Sequence, residues 1–118
     1  MKDKIFIKNL ILPCKVGVTE EERVKNQNII LDVEIFCGLS RAGASDDFDQ
    51  TIDYFALMKD ITTVVTKGEF KLLESIGENV ASLVLKDRRV LSVTLAVKKE
   101  KYSQNPVLGI EISRERHG

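Results

Sequence analysis

The sequence predicts an α+β domain in which an antiparallel four-stranded sheet carries two helices on one face. Three observations carry this prediction. Four runs alternate apolar and polar residues with a period of two, the signature of half-buried strands. Two central runs repeat apolar residues at helical spacing. The helical runs lie between two pairs of strand runs, giving the order β-β-α-α-β-β. The chain has 118 residues, the size of one domain, so 1–118 is read as a single unit. It is long enough to bury a core without staples.

Ile5 and Ile7 alternate with Lys4, Phe6 and Lys8 and predict a first strand over 4–12, which Pro13 either ends or marks as an edge. Residues 15–27 are polar, contain Gly17 and read as a loop with one short helical turn. Over 28–39, Ile29, Leu31, Val33 and Ile35 share one face and Asp32 and Glu34 the other, so this second strand pairs with the first as a long hairpin. Residues 40–53 are rich in turn and capping types, and Asp53 or Thr51 can cap a helix starting near Tyr54. In that helix Leu57, Ile61, Val64 and Val65 recur at helical spacing, and Gly68 stops it. A second helix is expected near 70–86, with Leu73, Ile76, Val80, Leu83 and Val84 on one face. Strand alternation returns at Leu91, Val93, Leu95 and Val97, and again at Leu108, Ile110 and Ile112, with a polar connection over 99–106. The same period turns Phe6, Ile30, Phe36 and Ala96 to the opposite face. A sheet with a half-apolar second face and free edges invites self-association, so a homo-oligomer is expected.

Lysines plus arginines number 18 and aspartates plus glutamates 18, a net charge of zero. That balance argues against nucleic acid or an acidic membrane as a partner, since both select an excess of cations. The one histidine is His117, and the two cysteines, Cys14 and Cys37, are far apart. No zinc finger or three-histidine site can be built from them, so no metal is expected. A Ser-His-Asp triad would need a histidine at the loose C-terminal end. Cys14 and Cys37 read as buried, reduced thiols of a cytoplasmic protein. No apolar run approaches the ~18 residues of a membrane span, and no secretory leader is seen. Gly38 and Gly43 have phosphate-loop spacing, but Ala44 stands where that loop needs lysine.

Seven residues in four places can bear chemistry. Glu20, Glu21 and Glu22 are either a solvated helix start or a source of one carboxylate aimed at a hydroxylated ligand. Glu74 is either a surface glutamate helping its helix dipole or a pocket carboxylate gripping a planar N–C–N donor pair. Lys98 and Lys99 fall on opposite faces of a strand end, which leaves one of them free for proton transfer or makes both an ordinary basic edge. Tyr54 either packs or relays a proton and stacks on a ring.

Taken together, these positions match a pattern. Ile5-Phe6-Ile7-Lys8-Asn9-Leu10, Gly17-Val18, Glu22, Gln27, Leu31-Asp32-Val33, Ser45-Asp46-Asp47, Thr51-Ile52-Asp53-Tyr54, Leu72-Leu73-Glu74, Lys99 and Gly109-Ile110-Glu111-Ile112 with Arg114 occur in order. Over essentially its whole length the chain resembles the dihydroneopterin aldolases. The resemblance implies the T-fold, in which sheets of neighbouring subunits join into a barrel. It also implies tetrameric rings or stacked octamers with active sites between subunits. The implied activity is a cofactor-independent aldehyde-lyase reaction of folate biosynthesis. Dihydroneopterin is cleaved to hydroxymethyl-dihydropterin and glycolaldehyde, with side-chain epimerisation in many members. By the same resemblance Glu74 anchors the pterin, and Leu73, Val18, Ile52 and Asp53 line the ring slot. Glu22 holds the side-chain hydroxyls, Lys99 organises a water and moves protons, and Tyr54 of an adjacent subunit delivers a proton. Two alternatives stand beside it: a dihydroneopterin triphosphate 2'-epimerase and a non-catalytic oligomeric pterin binder. For a triphosphate, Lys15, Arg23 and Lys25 are the nearest cations, set against the adjacent glutamates. The chain departs from many aldolases at Pro13-Cys14-Lys15-Val16 and over Glu100–Pro106.

Overall fold

The computed structural model describes residues 3–100 and 106–116. His117 and most of the 99–106 connection, including Lys101, lie outside the described residues. Five strands and four helices are described: β1 (Lys4–Val16), α1 (Glu20–Arg23), β2 (Gln27–Phe36), α2 (Ser40–Ser45), α3 (Tyr54–Lys67), β3 (Glu69–Phe70), α4 (Leu73–Val84), β4 (Ser92–Lys99) and β5 (Gly109–Glu115). The long elements follow the expected β-β-α-α-β-β order. The sheet order is β3-β1-β2-β4-β5. Strands β1, β2, β4 and β5 pair antiparallel, as expected. The expected four-stranded sheet is corrected to a mixed sheet of five, because two-residue β3 joins parallel to the end of β1. Alternation over two residues is too short to be seen in the sequence.

Strand β1 runs through Pro13 to Val16, past the expected end. Proline is tolerated there because β2 flanks β1 on one side only at that point, and β3 pairs with Lys15 and Val16 alone. The alternation of β1 also changes phase. Ile5 and Ile7 face the core in its first half, Leu12, Cys14 and Val16 in its second. A register shift between Ile7 and Leu10 makes this possible, and Asn9 takes up the extra residue in the left-handed region, with φ of 58°. Its backbone N–H donates to Asp32 Oδ1 at 2.8 Å, which ties the bulge to β2.

Helix α3 is capped by Asp53, whose carboxylate accepts from Ala56 N at 3.0 Å, so Asp53 rather than Thr51 is the cap. Gly68 ends it in extended backbone; a Cβ there would lie 2.5 Å from the Phe70 ring. Helix α4 starts at Leu73, three residues later than the expected boundary, because β3 occupies 69–70. The core lies between one sheet face and α3 with α4. Ile29, Leu31, Val33 and Ile35 of β2 and Val93, Leu95 and Val97 of β4 meet Ile61, Val65, Ile76 and Val80 there. At Gly77 a Cβ would stand 3.2 and 3.3 Å from the Ile110 and Ile112 side chains, which lets α4 sit close on β5. The other sheet face leaves Phe6 60% exposed and carries the Asp32–Lys98 ion pair. Among the described residues no helix is long and apolar enough to cross a membrane.

The bulge makes a specific demand on residue 9. Asn9→Val forces a β-branched residue into left-handed backbone and should cost about 1–2 kcal/mol of stability, while Asn9→Gly keeps that conformation freely. Urea unfolding midpoints of the two variants check this; equal midpoints contradict it.

Candidate active site

One end of the sheet gathers most of the expected site residues. Here lie the end of β1 at Val16, the start of β2 at Gln27, the end of β4 at Lys99, strand β3 and the first turn of α4. Alternation settles the two lysines. Lys99 continues the row Val93, Leu95, Val97, so it lies on the helix-covered face; Lys98 lies on the opposite face and binds Asp32 at 2.9 Å. That ion pair holds the Asp32 carboxyl below its usual range. The backbone around Lys99 is held on both sides: its N–H donates to Leu108 O at 2.9 Å, and Glu100 N donates to Asn28 O at 3.1 Å.

Leu73 and Glu74 open α4, whose N-cap Leu72 offers no side-chain bond. Ser75 N donates to Leu72 O at 3.2 Å, which leaves the amide groups of Leu73 and Glu74 to face an acceptor at the positive end of a twelve-residue helix. Among the described residues, neither Glu74 nor Lys99 is engaged in an ion pair.

Glu22 sits on the compact arm that follows β1. Thr19 and Glu22 form a reciprocal capping box: Glu22 N donates to Thr19 Oγ1 at 3.2 Å, and Thr19 N and Oγ1 donate to Glu22 Oε1 at 3.3 and 3.1 Å. These bonds, and then the ammonium of Lys99, hold the Glu22 carboxyl below its usual range. The carboxylate therefore caps α1 and at the same time lies in the field of Lys99. Its second oxygen carries none of these bonds. Gly17 is required here, because a Cβ on it would meet Glu22 Cβ at 2.2 Å. Gly17 N donates to Phe70 O at 3.0 Å, so the arm is tied to the strand that leads into Leu73 and Glu74. Val18 is 68% exposed on this arm.

Ile52, Asp53 and Tyr54 are at the other end. Arg89, chelated by Asp87 at 2.7 and 3.0 Å, donates to Thr51 O at 2.8 Å. Arg89 precedes Val90 and Leu91, and Leu91 N donates to Phe36 O at the far end of β2. Ile52 is buried, whereas Tyr54 is exposed with its ring 5.0 Å from that of Phe55. Helix α3 has 14 residues, and at ~1.5 Å per residue it separates Tyr54 from Gly68 by roughly 20 Å. The clefts divide in the same way. One of about 480 Å³ is lined by Glu21, Glu22, Val24 and Lys25; another of about 440 Å³ is lined by Phe48, Thr51, Tyr54 and neighbours on α2. Within one copy the structure thus places Val18, Glu22, Leu73, Glu74 and Lys99 at one end of the sheet, and Ile52, Asp53 and Tyr54 at the other.

Sequence reasoning missed the polar frame around these groups. Gln27 Nε2 donates to Val16 O at 2.6 Å, Asn28 Nδ2 to Glu100 Oε2 at 3.1 Å, and the Thr19 box holds Glu22. A T-x-x-E spacing at Thr19–Glu22 was the one signal present in the sequence.

The fold and these two groups of side chains define a class: a small α+β domain of the T-fold type that presents a carboxylate and an amine at one end and a phenol at the other. The family model for dihydroneopterin aldolase, FolB, matches residues 5–113, and the chain belongs to that family. It is 30% identical to the dihydroneopterin aldolase of Staphylococcus epidermidis, over 98% of both chains. It is 32% identical to the folic acid synthesis protein of Pneumocystis carinii, over 97% of this chain but only 16% of that protein. The chain thus spans about a sixth of that relative, and 12% of the corresponding Dictyostelium discoideum protein. It is also 33% identical over 67% of its length to the dihydroneopterin triphosphate 2'-epimerase of Escherichia coli, covering 66% of that protein. Among solved structures, a FolB protein of Vibrio cholerae superposes with a TM-score of 0.92 at 29% identity, over 98% of this chain and 99% of that one. The dihydroneopterin aldolase of E. coli in complex with neopterin superposes with a TM-score of 0.88 at 26% identity, over 95% and 98%.

The Gly17–Glu22 contact can be tested by overpacking. Gly17→Ala should displace α1 and cost about 1–3 kcal/mol of stability, read as a lowered thermal midpoint. An unchanged midpoint would show that the arm yields freely.

Proposed function

We propose that the chain is a dihydroneopterin aldolase: a single-domain, cytoplasmic homo-oligomer that cleaves dihydroneopterin to hydroxymethyl-dihydropterin and glycolaldehyde at sites between copies. The observation that carries this reading is the division of the family's site residues between opposite ends of one sheet, so that a second copy is needed to complete each site. Joining sheets into a barrel ring, as tetramer or octamer, would bring Tyr54 of one copy to the Glu74 end of the next. The neopterin complex of the E. coli aldolase supports a pterin as ligand.

In this reading Glu74 accepts two N–H bonds from the aminopyrimidine edge of the ring, a bidentate, charge-assisted contact. The open amide groups at the start of α4, beside Leu73, take the ring's oxygen side. Val18 closes one wall, and Ile52 and Asp53 of the neighbouring copy close the other. Glu22, kept ionised by Thr19 and Lys99, accepts from the side-chain hydroxyls. The hydroxyl proton leaves through a water held by Lys99. The adjacent C–C bond then breaks, its electron pair moves into the dihydropterin C=N system, and glycolaldehyde departs. Tyr54 of the neighbouring copy delivers the proton to the carbon left behind. The ring serves as the electron sink, so the cleavage calls for no metal or organic cofactor.

The epimerase reading has the E. coli relative in its favour. The state of Arg23 weighs against it. Its Nη1 and Nε already donate to Gly17 O, Val18 O and Glu69, so meeting a triphosphate would cost it part of that network.

Product analysis after incubation with dihydroneopterin tests substrate and reaction together. Glycolaldehyde and hydroxymethyl-dihydropterin are expected; epimer alone points to the second reading, and bound but unchanged substrate to a non-catalytic binder. Lys99→Ala should lower turnover by about 10²–10⁴-fold with pterin affinity kept. Glu74→Ala should weaken pterin binding by about 100-fold, read by ligand titration. Mixing inactive Tyr54→Phe and Lys99→Ala proteins should restore part of the activity, because some interfaces then pair an intact Lys99 with an intact Tyr54. No recovery after verified subunit exchange would place both residues in one copy's site.

A further inference from the structure

We infer that Arg23 is a positioning residue: it fixes the arm carrying Val18 and Glu22 against β3, and thereby sets the recognition of the substrate's hydroxylated side chain. This rests on the aldolase reading above. The arm has no hydrophobic anchor of its own. Helix α1 is a single turn with no buried residue, and Val18 and Val24, at its two ends, are 68% and 70% exposed. What holds it is polar. Arg23 Nη1 donates to Gly17 O at 2.8 Å and to Val18 O at 3.0 Å, and Nε donates to Glu69 Oε2 at 3.2 Å. The Arg23 side chain is only 13% exposed, although it belongs to a surface turn.

One guanidinium therefore joins two segments that approach the site from different parts of the chain. Gly17–Val18 leads to Glu22, and Glu69 lies on the strand that leads to Leu73 and Glu74. A planar fork with several donors can reach all three acceptors at once; an ammonium on a flexible stem cannot hold the same geometry. Together with the Gly17 N to Phe70 O bond, the fork sets the spacing between the arm that meets the side-chain hydroxyls and the helix that grips the ring. Loss of Arg23 leaves Glu74 and the ring contact in place but lets the arm move. The effect should depend on whether the ligand has a side chain.

The test compares neopterin, which carries the trihydroxypropyl chain, with pterin, which lacks it, on wild type, Arg23→Ala and Arg23→Lys. Both variants should bind neopterin about tenfold more weakly or worse, while pterin affinity stays within about twofold. Amide exchange at Gly17 should accelerate with exchange at Ile29 and Val97 unchanged, and added guanidinium ion should recover neopterin affinity in Arg23→Ala. If Arg23→Ala does not fold, Arg23→Lys, which keeps the charge and stem but not the fork, carries the comparison alone. Equal weakening of both ligands, or full rescue by lysine, overturns the proposal, because it reduces Arg23 to a general structural or charge role. Unchanged neopterin affinity beside a wild type that binds and cleaves overturns the proposal alone. A wild type that binds neither compound overturns the aldolase reading and the proposal with it.

Discussion

The constraint on which the rest depends is the buried row of β2. Ile29, Leu31, Val33 and Ile35 are fully buried on one face of the central strand, between β1 and β4. Each such side chain is worth about 1.5–3 kcal/mol of burial, and a one-residue slip would turn the whole row to solvent. The pairing of β4 is therefore fixed, with Lys99 opposite Ile29 and Lys98 opposite Ile30. The same constraint explains the bulge at Asn9. Strand β1 is longer than one phase of its own alternation can serve, and the extra residue returns its second half to the core. The position of Gly17, and with it the arm of Glu22, follows from where that second half ends.

The two ends of the domain are built by different physics. Around Tyr54, helices α3 and α4 are anchored by apolar burial, and Arg89 with Asp87 fastens the Thr51 backbone from outside. The arm that carries Glu22 buries no apolar residue: α1 has none, and Val18 and Val24 are exposed. That arm relies on a capping box, a glycine contact and the Arg23 fork. Polar tethers of this kind define direction and spacing well and contribute modestly to net stability. A domain can thus keep a rigid core while one surface arm remains sensitive to single substitutions.

The sheet's second face bears Phe6, Ile30, Phe36 and Ala96 beside ion pairs of Lys4 and Lys8 with Glu34 and of Lys98 with Asp32. It is neither a finished solvent surface nor a second core. Such a face suits the assembly with other copies proposed above, in which Tyr54 and Lys99, at opposite ends of one chain, would meet across an interface.

Much of this was legible in the sequence, because alternation and helical spacing report burial directly. The residues of β2 and β4, the α3 start near Tyr54 with Asp53 or Thr51 as its cap, and the opposite facing of Lys98 and Lys99 all follow from period and capping rules. The ordered motifs were enough to point to the family. Strand β3, the bulge, the late start of α4 and the reach of β1 past Pro13 were not legible, because two-residue pairing and a single left-handed residue leave no periodic trace. Nor could the sequence say that Glu22 turns back on Thr19 or that Arg23 spans Gly17, Val18 and Glu69. Local patterns determine which face a residue occupies. Which distant segments share an end of the sheet, and which donors meet across it, is decided only when hydrophobic burial fixes the register of the whole chain.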